Sequence, residues 1–184
     1  MSADSIDLRR LTPADASLYR EIRLEALADS PDAFASTLEI EQDRPLDWFA
    51  VRLADAVVLG AFDGSHLTGM AGFYVQSGPK HAHKGILWGM YVRPKYRAAG
   101  VGRMLVEAII DYARDQVELL QLMVISDNMP ARRLYASLGF VEYGVERHAT
   151  KYRGVYHDDL LMALPLVVEC DISVVDAWTE EISA

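Results

Sequence analysis

Stretches in which apolar and polar residues alternate predict strands, and stretches with apolar residues every three or four positions predict helices. Ile6–Leu11 alternates in this way, and two apolar stretches joined by Asp63-Gly64 have the pattern of a β-hairpin. We therefore predict strands at Ile6–Leu11, Ala56–Phe62, His66–Val75, Lys84–Val92, Leu119–Ile125, Val141–His148 and Val155–Leu164.

Helices are predicted where capping signals precede the helical spacing. Thr12 is a suitable N-cap, Pro13 suits the first helical position, and Ser30-Pro31 ends the helix that follows. The first predicted helix lies between these signals, and further helices are predicted at Pro45–Ala54, Val101–Gln116 and Pro130–Leu138. Residues 31–44 are predicted to form a loop. The order β-α-α-β-β-β-α-β-α-β-β predicts an α/β fold in which helices cover a mixed sheet.

The composition is that of one globular domain: 184 residues, of which 51% are hydrophobic and 24% charged. We assign residues 1–164 to this domain and residues 165–184 to an acidic tail, which is either flexible or adds a strand or a dimer contact. The single cysteine, Cys170, cannot form an intrachain disulfide, and the longest apolar run, Leu160–Val168, is too short to cross a membrane. With no signal-peptide pattern, a cytoplasmic location is expected.

Positive charge is concentrated in one segment of an otherwise acidic chain. The formal net charge is −9, which argues against bulk binding of nucleic acid, and residues 1–50 carry eleven acidic and five basic side chains. Residues 76–103, called here the basic segment, carry no acidic side chain and six basic ones: Lys80, Lys84, Arg93, Lys95, Arg97 and Arg103. On charge alone, a local anion site and a solvent-exposed loop explain this segment equally well.

Two glycines, Gly100 and Gly102, stand where the strand ending at Val92 gives way to the next helix, in the sequence RPKYRAAGVGRML. Backbone N–H groups at a helix N-terminus attract anions, and glycine lets a phosphate approach the backbone closely. A Rossmann motif would need glycine in place of Leu105, and a Walker loop would need Gly-Lys followed by Ser or Thr. The segment therefore predicts a phosphate site of another type, with an ordinary helix cap as the alternative.

Two segments of the chain resemble motifs of the GCN5-related N-acetyltransferases. The first, MYVRPKYRAAGVGRMLVEAII, is similar to the acyl-CoA-binding segment of that family, in which R-x-x-G-x-G forms the pyrophosphate loop. The second, SDNMPARRLYASLGF, follows in the order and at the spacing typical of the family. The resemblance covers residues 4–164 and implies a mixed sheet with helices on both faces and central strands splayed to accept acyl-CoA.

The resemblance implies binding roles for the glycine loop and for the strand before it. Backbone groups of Met90, Tyr91 and Val92 would pair with the pantetheine arm of acetyl-CoA, and one of their N–H groups would polarise the thioester carbonyl. Gly89 either forms a bulge that separates this strand from its neighbour or packs beneath Trp88. The pyrophosphate would be bound by backbone N–H groups of Arg97, Ala98, Ala99, Gly100, Val101, Gly102 and Arg103.

Tyr135 and Asn128 are the candidate catalytic residues, and each also has a structural interpretation. Helical spacing places Tyr135 on one face with Leu134 and Leu138, as is typical of a core tyrosine. By resemblance, its phenol would donate a proton to the departing CoA thiolate. Asn128 would hydrogen-bond the arm of acetyl-CoA or the reacting groups, and it also suits the N-cap of the helix that follows.

Two arginines and three aromatic residues receive weaker assignments. Arg132 and Arg133 either contact the 3′-phosphate of CoA or form a solvated helix face, and the second interpretation is favoured. Trp48, Trp88 and Tyr74 are expected in the core rather than in a substrate cage.

The sequence does not identify a general base. The amine must lose a proton before it attacks, but the position that holds a glutamate in several members of the family is Ile86 here. A chain of water molecules would serve as well as a side chain. The candidate side chains are His81, His83, Glu39, Glu41, Glu146, His148, Asp158 and Asp159.

Together these residues predict an acetyl-CoA-dependent N-acetyltransferase in which an amine attacks the thioester directly, in a ternary complex and without a metal. Cys170 lies outside both motifs, which argues against an acyl-cysteine intermediate. The alternatives are a non-catalytic acyl-CoA sensor with the same fold and a general phosphate or nucleotide binder.

The expected acceptor is a small-molecule amine or a protein amine, and neither nucleic acid nor a membrane is expected as a partner. The acid-rich first fifty residues favour a cationic amine. A homodimer is left open.

Overall fold

The structure is a computed structural model and describes residues 6–167. Seven strands span Ile6–Arg10 (β1), Val57–Asp63 (β2), His66–Val75 (β3), Lys84–Val92 (β4), Leu119–Ile125 (β5), Val141–Tyr152 (β6) and Val155–Pro165 (β7). Five α-helices span Ala16–Asp29 (α1), Leu38–Glu41 (α2), Leu46–Asp55 (α3), Val101–Arg114 (α4) and Met129–Ser137 (α5). Residues 168–184, which include Cys170 and most of the predicted acidic tail, lie outside the described residues.

The predicted order of strands and longer helices is confirmed, with two differences in extent. The predicted loop over residues 31–44 is wrong in part, because it contains the short helix α2, whose Glu41 forms a buried ion pair with Arg23 of α1. A single helical turn is too short to show a periodic apolar pattern in the sequence. The evidence for α2 is therefore its tertiary contact, which the sequence does not reveal. The last hairpin is also longer than predicted, since β6 continues past His148 to a tight turn at Arg153 and Gly154, both with positive φ.

The strands form one mixed sheet in the order β1-β2-β3-β4-β5-β7-β6. β4 and β5 are parallel, and the other neighbouring strands are antiparallel. The parallel pair is joined through α4, as a parallel connection requires. β4 pairs with β5 only at Lys84–Ile86, opposite Leu119–Gln121. Beyond this short ladder the two strands separate, which opens a gap in the middle of the sheet and confirms the predicted splay.

A bulge in β4 lies beside this gap. Gly72 of β3 pairs with Trp88, and Met70 pairs with Tyr91, so that one residue of β3 stands opposite two of β4. Gly89 is one of those two and has a φ of +63°. The predicted bulge at Gly89 is therefore confirmed.

Crowding beneath Trp88 concerns a different glycine. A Cβ atom added to Gly89 would meet nothing within 4 Å, so only the backbone conformation requires glycine there. A Cβ atom added to Gly72 would lie 2.4 Å from the Trp88 ring. The alternative that Gly89 packs beneath Trp88 is therefore wrong, and Gly72 has that role.

Helices cover both faces of the sheet, as predicted. One core lies between the sheet and α1 with α3, around Tyr19, Ile22 and Phe49. The other lies between the sheet and α4 with α5, around Leu105 and Ile109. None of the helices in residues 6–167 is both long enough and apolar enough to cross a membrane.

Candidate active site

A cleft of about 410 Å³ opens where β4 and β5 separate. Its walls come from the separated ends of both strands, from α5, from the start of α4 and from the segment after α1. This volume lies in the range typical of small-molecule sites. The predicted site residues that line the cleft are Met90, Tyr91, Val92, Arg97, Ala98, Gly102, Asn128 and Tyr135.

The glycine loop forms one end of the cleft, at the N-terminus of α4. Gly100 is the N-cap of this helix of 14 residues and has a φ of +84°, which glycine adopts without strain. Ala98 also has a positive φ, of +60°, so two left-handed residues lie among the three before the helix. The N–H groups of the first helical turn lack partners within the helix and carry the positive end of its dipole. The loop therefore offers backbone donors to an anion.

Gly102, in the first turn of α4, lies close to side chains of β4 and α5. A Cβ atom added there would lie 2.9 Å from Cε of Met90 and 3.4 Å from Cδ2 of Leu134. These atoms leave little room for any side chain between α4, β4 and α5. Close approach, rather than a left-handed backbone, is thus the reason for glycine at this position.

Acidic residues of α1 neutralise the arginines that lead into the loop. Arg93 donates to Glu25 at 2.8 Å and to Glu21 at 2.6 Å, and Arg97 forms an ion pair with Asp29. Glu21, Glu25 and Asp29 are spaced four residues apart, so they form a row along one face of α1. The positive charge of the basic segment is consequently already paired in part, and an anion in the cleft depends mainly on backbone donors.

Two other predicted cofactor-binding residues, Arg103 and Arg132, are absent from the cleft lining and have side chains that bind elsewhere in the protein. Arg103 donates to Oγ of Ser137 at 2.7 Å. Arg132 donates to the carbonyl oxygen of Ser126 at 2.7 Å and to Glu142 at 3.0 Å, which fastens α5 to the neighbouring strands. Contacts of these arginines with CoA stay predictions, as do those of the remaining residues that the lining does not include, Ala99, Gly100, Val101 and Arg133.

Tyr135 belongs both to the core and to the cleft. Its side chain is only 6% exposed, and its ring packs edge-on against Phe140 with the centroids 5.8 Å apart. Burial raises the pKa of its phenol, which therefore stays protonated at neutral pH. The predicted core contact is present, and the residue is also in the lining, where a proton donor could act.

Asn128 is the N-cap of α5, as the structural interpretation predicts. Its Oδ1 accepts a hydrogen bond from the backbone N–H of Ala131 at 3.2 Å. The same residue lines the cleft. With Oδ1 engaged, its amide NH₂ is the group that remains to donate toward a ligand.

The sequence profile of the Acetyltransferase (GNAT) family matches residues 19–140, which contain the glycine loop, the bulge and Tyr135. The chain belongs to this family. The structure of the acetyltransferase of GNAT family from Streptococcus pneumoniae has the same fold, with a TM-score of 0.77 at 21% identity over 87% of this chain and 98% of that one. The structure of yncA from Salmonella typhimurium, solved with its cofactor acetyl-CoA, gives a TM-score of 0.78 at 25% identity over 90% of this chain and 96% of that one.

Named relatives of this GNAT protein differ in their acceptors. It is 30% identical to the aminoglycoside N(6′)-acetyltransferase type 1 of Stenotrophomonas maltophilia, over 62% of this chain and 72% of that protein. It is 30% identical to the mycothiol acetyltransferase of Acidothermus cellulolyticus, over 78% of this chain and 47% of the relative. It is 37% identical to the [ribosomal protein bS18]-alanine N-acetyltransferase of Salmonella typhimurium, over 44% of this chain and 55% of the relative. The chain thus spans about half the length of the last two relatives.

A second pocket of the GNAT protein, of about 330 Å³, adjoins the cleft at Phe34, Trp88 and Gly89, which line both. Its other walls come from α1, α3, β5, β6 and β7 and from the segment after α1. Within residues 6–167, no group of three His, Cys, Asp or Glu side chains is arranged to hold a metal ion.

Four residues that line the second pocket have a buried polar atom without a hydrogen-bond partner among the described residues. The atoms are Nε of Arg52, Nε1 of Trp88, Oγ1 of Thr150 and Oδ1 of Asp159. Folded proteins rarely leave such atoms unpaired unless a water molecule or a ligand satisfies them. Two N–H donors, a hydroxyl and a carboxylate oxygen without partners thus belong to residues that line one pocket.

Asp159 is the general-base candidate that lines this pocket. Burial and the nearby carboxylate of Glu146 raise the pKa of Asp159. By contrast, Glu41 is occupied by Arg23, and Asp158 accepts hydrogen bonds from Arg147 and from the backbone N–H of His148. The remaining candidates are exposed on the surface: Glu39, His81, His83, Glu146 and His148.

The expectation of a core position is wrong for Tyr74 and incomplete for Trp88. Tyr74 is 44% exposed, and the next residue at the end of β3, Val75, is exposed as well. Trp88 is half-buried and lines both pockets, whereas Trp48 packs against the core as expected. Sequence reasoning also missed Arg52 and Thr150, and no spacing signal connects them, since they lie on α3 and β6.

Proposed function

We propose that this protein is an acetyl-CoA-dependent N-acetyltransferase that transfers the acetyl group directly to a primary amine within a ternary complex. The proposal rests on one observation above all. A single cleft connects the N-terminus of α4, the separated edges of β4 and β5, and Tyr135. Membership of the GNAT family and the likeness to yncA, whose structure holds acetyl-CoA, support it.

Acetyl-CoA is a substrate in this proposal, and the residues present fit it. The N–H groups at the start of α4 bind its pyrophosphate. The backbone of β4 after Ile86 has no partner on β5 and offers N–H and C=O groups to the amides of the pantetheine arm. Gly102 leaves the space beside Met90 free of a side chain. The only cysteine in the sequence, Cys170, lies outside both motifs, which favours direct transfer over an acyl-cysteine route.

Tyr135 acts on the leaving group. Its phenol is protonated at neutral pH and donates a hydrogen bond to the sulfur as the bond between carbon and sulfur breaks. A thiol has a pKa of about 8.5, so the thiolate is a weaker base than the phenolate of this buried tyrosine. Hydrogen bonding to the developing thiolate, with the proton passing on as CoA departs, therefore accounts for the contribution of Tyr135.

Calorimetry and thiol release test the proposal together. We expect acetyl-CoA and CoA to bind, ATP to bind at least about tenfold more weakly, and free thiol to appear only when an amine is present. Binding of acetyl-CoA without thiol release across a broad amine panel would support a non-catalytic sensor instead. Equal affinity for ATP and CoA would support a general nucleotide binder.

A further inference from the structure

A fixed cation forms one wall of the second pocket. The guanidinium carbon of Arg52 lies 4.6 Å from the ring centroid of Trp48 and 5.4 Å from that of Trp88. Stacking of this kind holds a guanidinium in place without using its N–H donors. Nε of Arg52 and Nε1 of Trp88 are both buried and have no hydrogen-bond partner within residues 6–167. The two donors thus belong to side chains that stack on each other.

A carboxylate with an unpartnered oxygen lines the same pocket. Asp159 lies on β7, in register with Ile125 of β5 and Glu146 of β6. Its Oδ1 is buried and receives no hydrogen bond from the described residues. The other charged or titratable groups around this carboxylate and pocket are Asp32, Arg23, Arg52, Glu146, His157 and Asp158.

Acceptors of different charge would satisfy these atoms to different degrees. An amine whose only charges are positive could pair with Asp159 but would gain no hydrogen bond from the donors of Arg52 and Trp88, which stay unpaired as in the free protein. A molecule that has an ammonium and a carboxylate a few atoms apart could satisfy both sides of the pocket. The expectation of a cationic amine, drawn from the acidic first fifty residues, applies to the amino group of either kind of acceptor and takes no account of Arg52.

We propose that the second pocket binds an amine acceptor that also carries a carboxylate, as an α-amino acid does, with Asp159 receiving the amine and Arg52 and Trp88 receiving the carboxylate. This inference rests on the proposed acetyltransferase function and names the substrate class and the base of that same site. It also explains why the two pockets share Phe34, Trp88 and Gly89: the amine reaches the thioester at their junction.

The proton balance of the reaction gives Asp159 a defined task. The ammonium gives one proton to the carboxylate of Asp159, which passes it to water, and the neutral nitrogen uses its lone pair to attack the thioester carbonyl. The bond from carbon to nitrogen forms, and the bond from carbon to sulfur breaks with its electron pair on sulfur. The second proton lost by nitrogen balances the one that sulfur gains through Tyr135. The products are an amide, CoA thiol and one proton released to solvent.

Matched substrates provide the first test. We would measure thiol release by the full chain with the common L-amino acids, each beside its decarboxylated amine, and with spermidine and an aminoglycoside as purely cationic amines. We expect kcat/KM for at least one amino acid to exceed that of its decarboxylated partner by about tenfold or more, because the pocket then leaves no donor unpaired.

Variants of Arg52 provide the second test. Arg52→Met keeps an apolar side chain between the two tryptophans and removes the donors, so the preference for the amino acid over its decarboxylated amine should fall to within about twofold. Arg44→Met is the matched control, since Arg44 also stacks on Trp48, at 5.7 Å, but does not line the second pocket. It should leave the preference unchanged.

Asp159→Asn tests whether Asp159 is the general base, through the pH dependence of kcat/KM. A merely structural role would not change this dependence. We expect kcat/KM to fall by about 10²-fold near neutral pH. The loss should shrink as the pH rises toward the pKa of the free amine, because an amine that is already neutral needs no base. A loss that is constant with pH would overturn the role of Asp159.

Further outcomes separate this inference from the function it rests on. Equal or better turnover of spermidine or of the decarboxylated amines would overturn the inference and leave the acetyltransferase function standing. A preference for amino acids that persists in Arg52→Met would also overturn it. Absence of thiol release with every acceptor would overturn both.

Discussion

The two ends of the proposed site differ in how their polar groups are satisfied within the protein. We call the end at the glycine loop, proposed to bind acetyl-CoA, the cofactor end, and the second pocket, proposed to bind the amine, the acceptor end. At the cofactor end, Arg93 and Arg97 are already bound to acids of α1, and the donors that remain are backbone N–H groups of α4. At the acceptor end, side-chain atoms of Arg52, Trp88 and Asp159 are buried without partners in the part of the chain that the structure describes.

This difference indicates which parts of the molecule determine each specificity. Backbone donors follow from the course of the chain, so the cofactor end tolerates changes of side chain as long as the glycines keep their conformations. Unpartnered side-chain atoms depend on individual residues, so the acceptor end changes its preference with single substitutions. Variants at the cofactor end should therefore change the affinity for acetyl-CoA, and variants at the acceptor end should change the preference among amines.

The largest effect is expected on stability, from the ion pair behind the second pocket. Arg23 lines that pocket, and its guanidinium makes two hydrogen bonds to Glu41, at 2.9 and 2.8 Å, with both side chains almost fully buried. Glu41→Gln leaves the charge of Arg23 uncompensated, and we expect the free energy of unfolding to fall by about 3 kcal/mol. Urea denaturation measures it.

The double variant Arg23→Met with Glu41→Met is the control for this pair. It replaces two buried charges with apolar side chains of similar length, and most of the lost stability should return. If the double variant is less stable than Glu41→Gln, packing rather than charge controls this region.

The same ion pair predicts the direction of a pH effect. Burial alone would raise the pKa of Glu41, but its hydrogen bonds to Arg23 and the charge of that arginine hold it below the ordinary value of 4.5. A carboxyl group whose pKa is lowered by folding stabilises fully above its unfolded pKa, and that stabilisation is lost as the pH falls. The free energy of unfolding of the wild type should therefore decrease below about pH 4.5. The decrease should be much smaller in the double variant, which has no carboxyl group at this position.

The next largest effect is expected on turnover, from Tyr135→Phe. The ring and its contact with Phe140 remain, so the fold and the affinity for acetyl-CoA should stay close to wild type. Loss of the hydrogen bond to sulfur should lower kcat by about 10²-fold, and by less at lower pH, where solvent protonates sulfur more readily. Tyr112→Phe is the control, because Tyr112 on α4 packs against Phe73 of β3 and neither residue lines the cleft. Full turnover by a folded Tyr135→Phe protein would leave Tyr135 with its core role alone.

A smaller effect is expected on cofactor affinity, from Gly102→Val. The branched side chain would enter the space beside Met90 and Leu134, and the Kd for acetyl-CoA should rise at least about tenfold, or 1.4 kcal/mol. Gly102→Ala should have a weaker effect, because the first atom it meets is the flexible end of Met90. Gly144→Val on β6 is the control. Unchanged affinity in folded Gly102→Val would remove the glycine loop from the binding site.

The smallest effect concerns the 3′-phosphate of CoA. Arg133 is exposed on α5, so Arg133→Gln should weaken CoA by no more than about fivefold and leave dephospho-CoA unaffected, with the difference shrinking in salt. Arg132 is held by Ser126 and Glu142, and its replacement should affect the two ligands equally. Equal affinities of the wild type for CoA and dephospho-CoA would show that neither arginine contacts the 3′-phosphate.

The sequence was sufficient for the fold and for the position of Gly102 and Tyr135 beside one cleft because both depend on local patterns, while the binding of acetyl-CoA there stays a prediction. Strand alternation, the two motifs and the bulge at Gly89 are properties of neighbouring residues, and the cleft follows from them. The pairing of the basic segment was not predictable, since Arg93 meets Glu21 and Glu25 from a helix about seventy residues earlier. The acceptor end was not predictable either, because an unpartnered atom is a property of the folded surroundings and leaves no trace in spacing.

The row of acids along α1 has a consequence for the rate at which acetyl-CoA is captured. A cluster of unpaired arginines would draw a polyanion toward the cleft from a distance and speed its encounter with the protein. In this chain Glu21, Glu25 and Asp29 cancel much of that field at short range, and the formal net charge of −9 opposes it at long range. Association should therefore proceed without electrostatic acceleration, and RNA and other polyphosphates, which depend on such a field for weak binding, should not compete for the cleft.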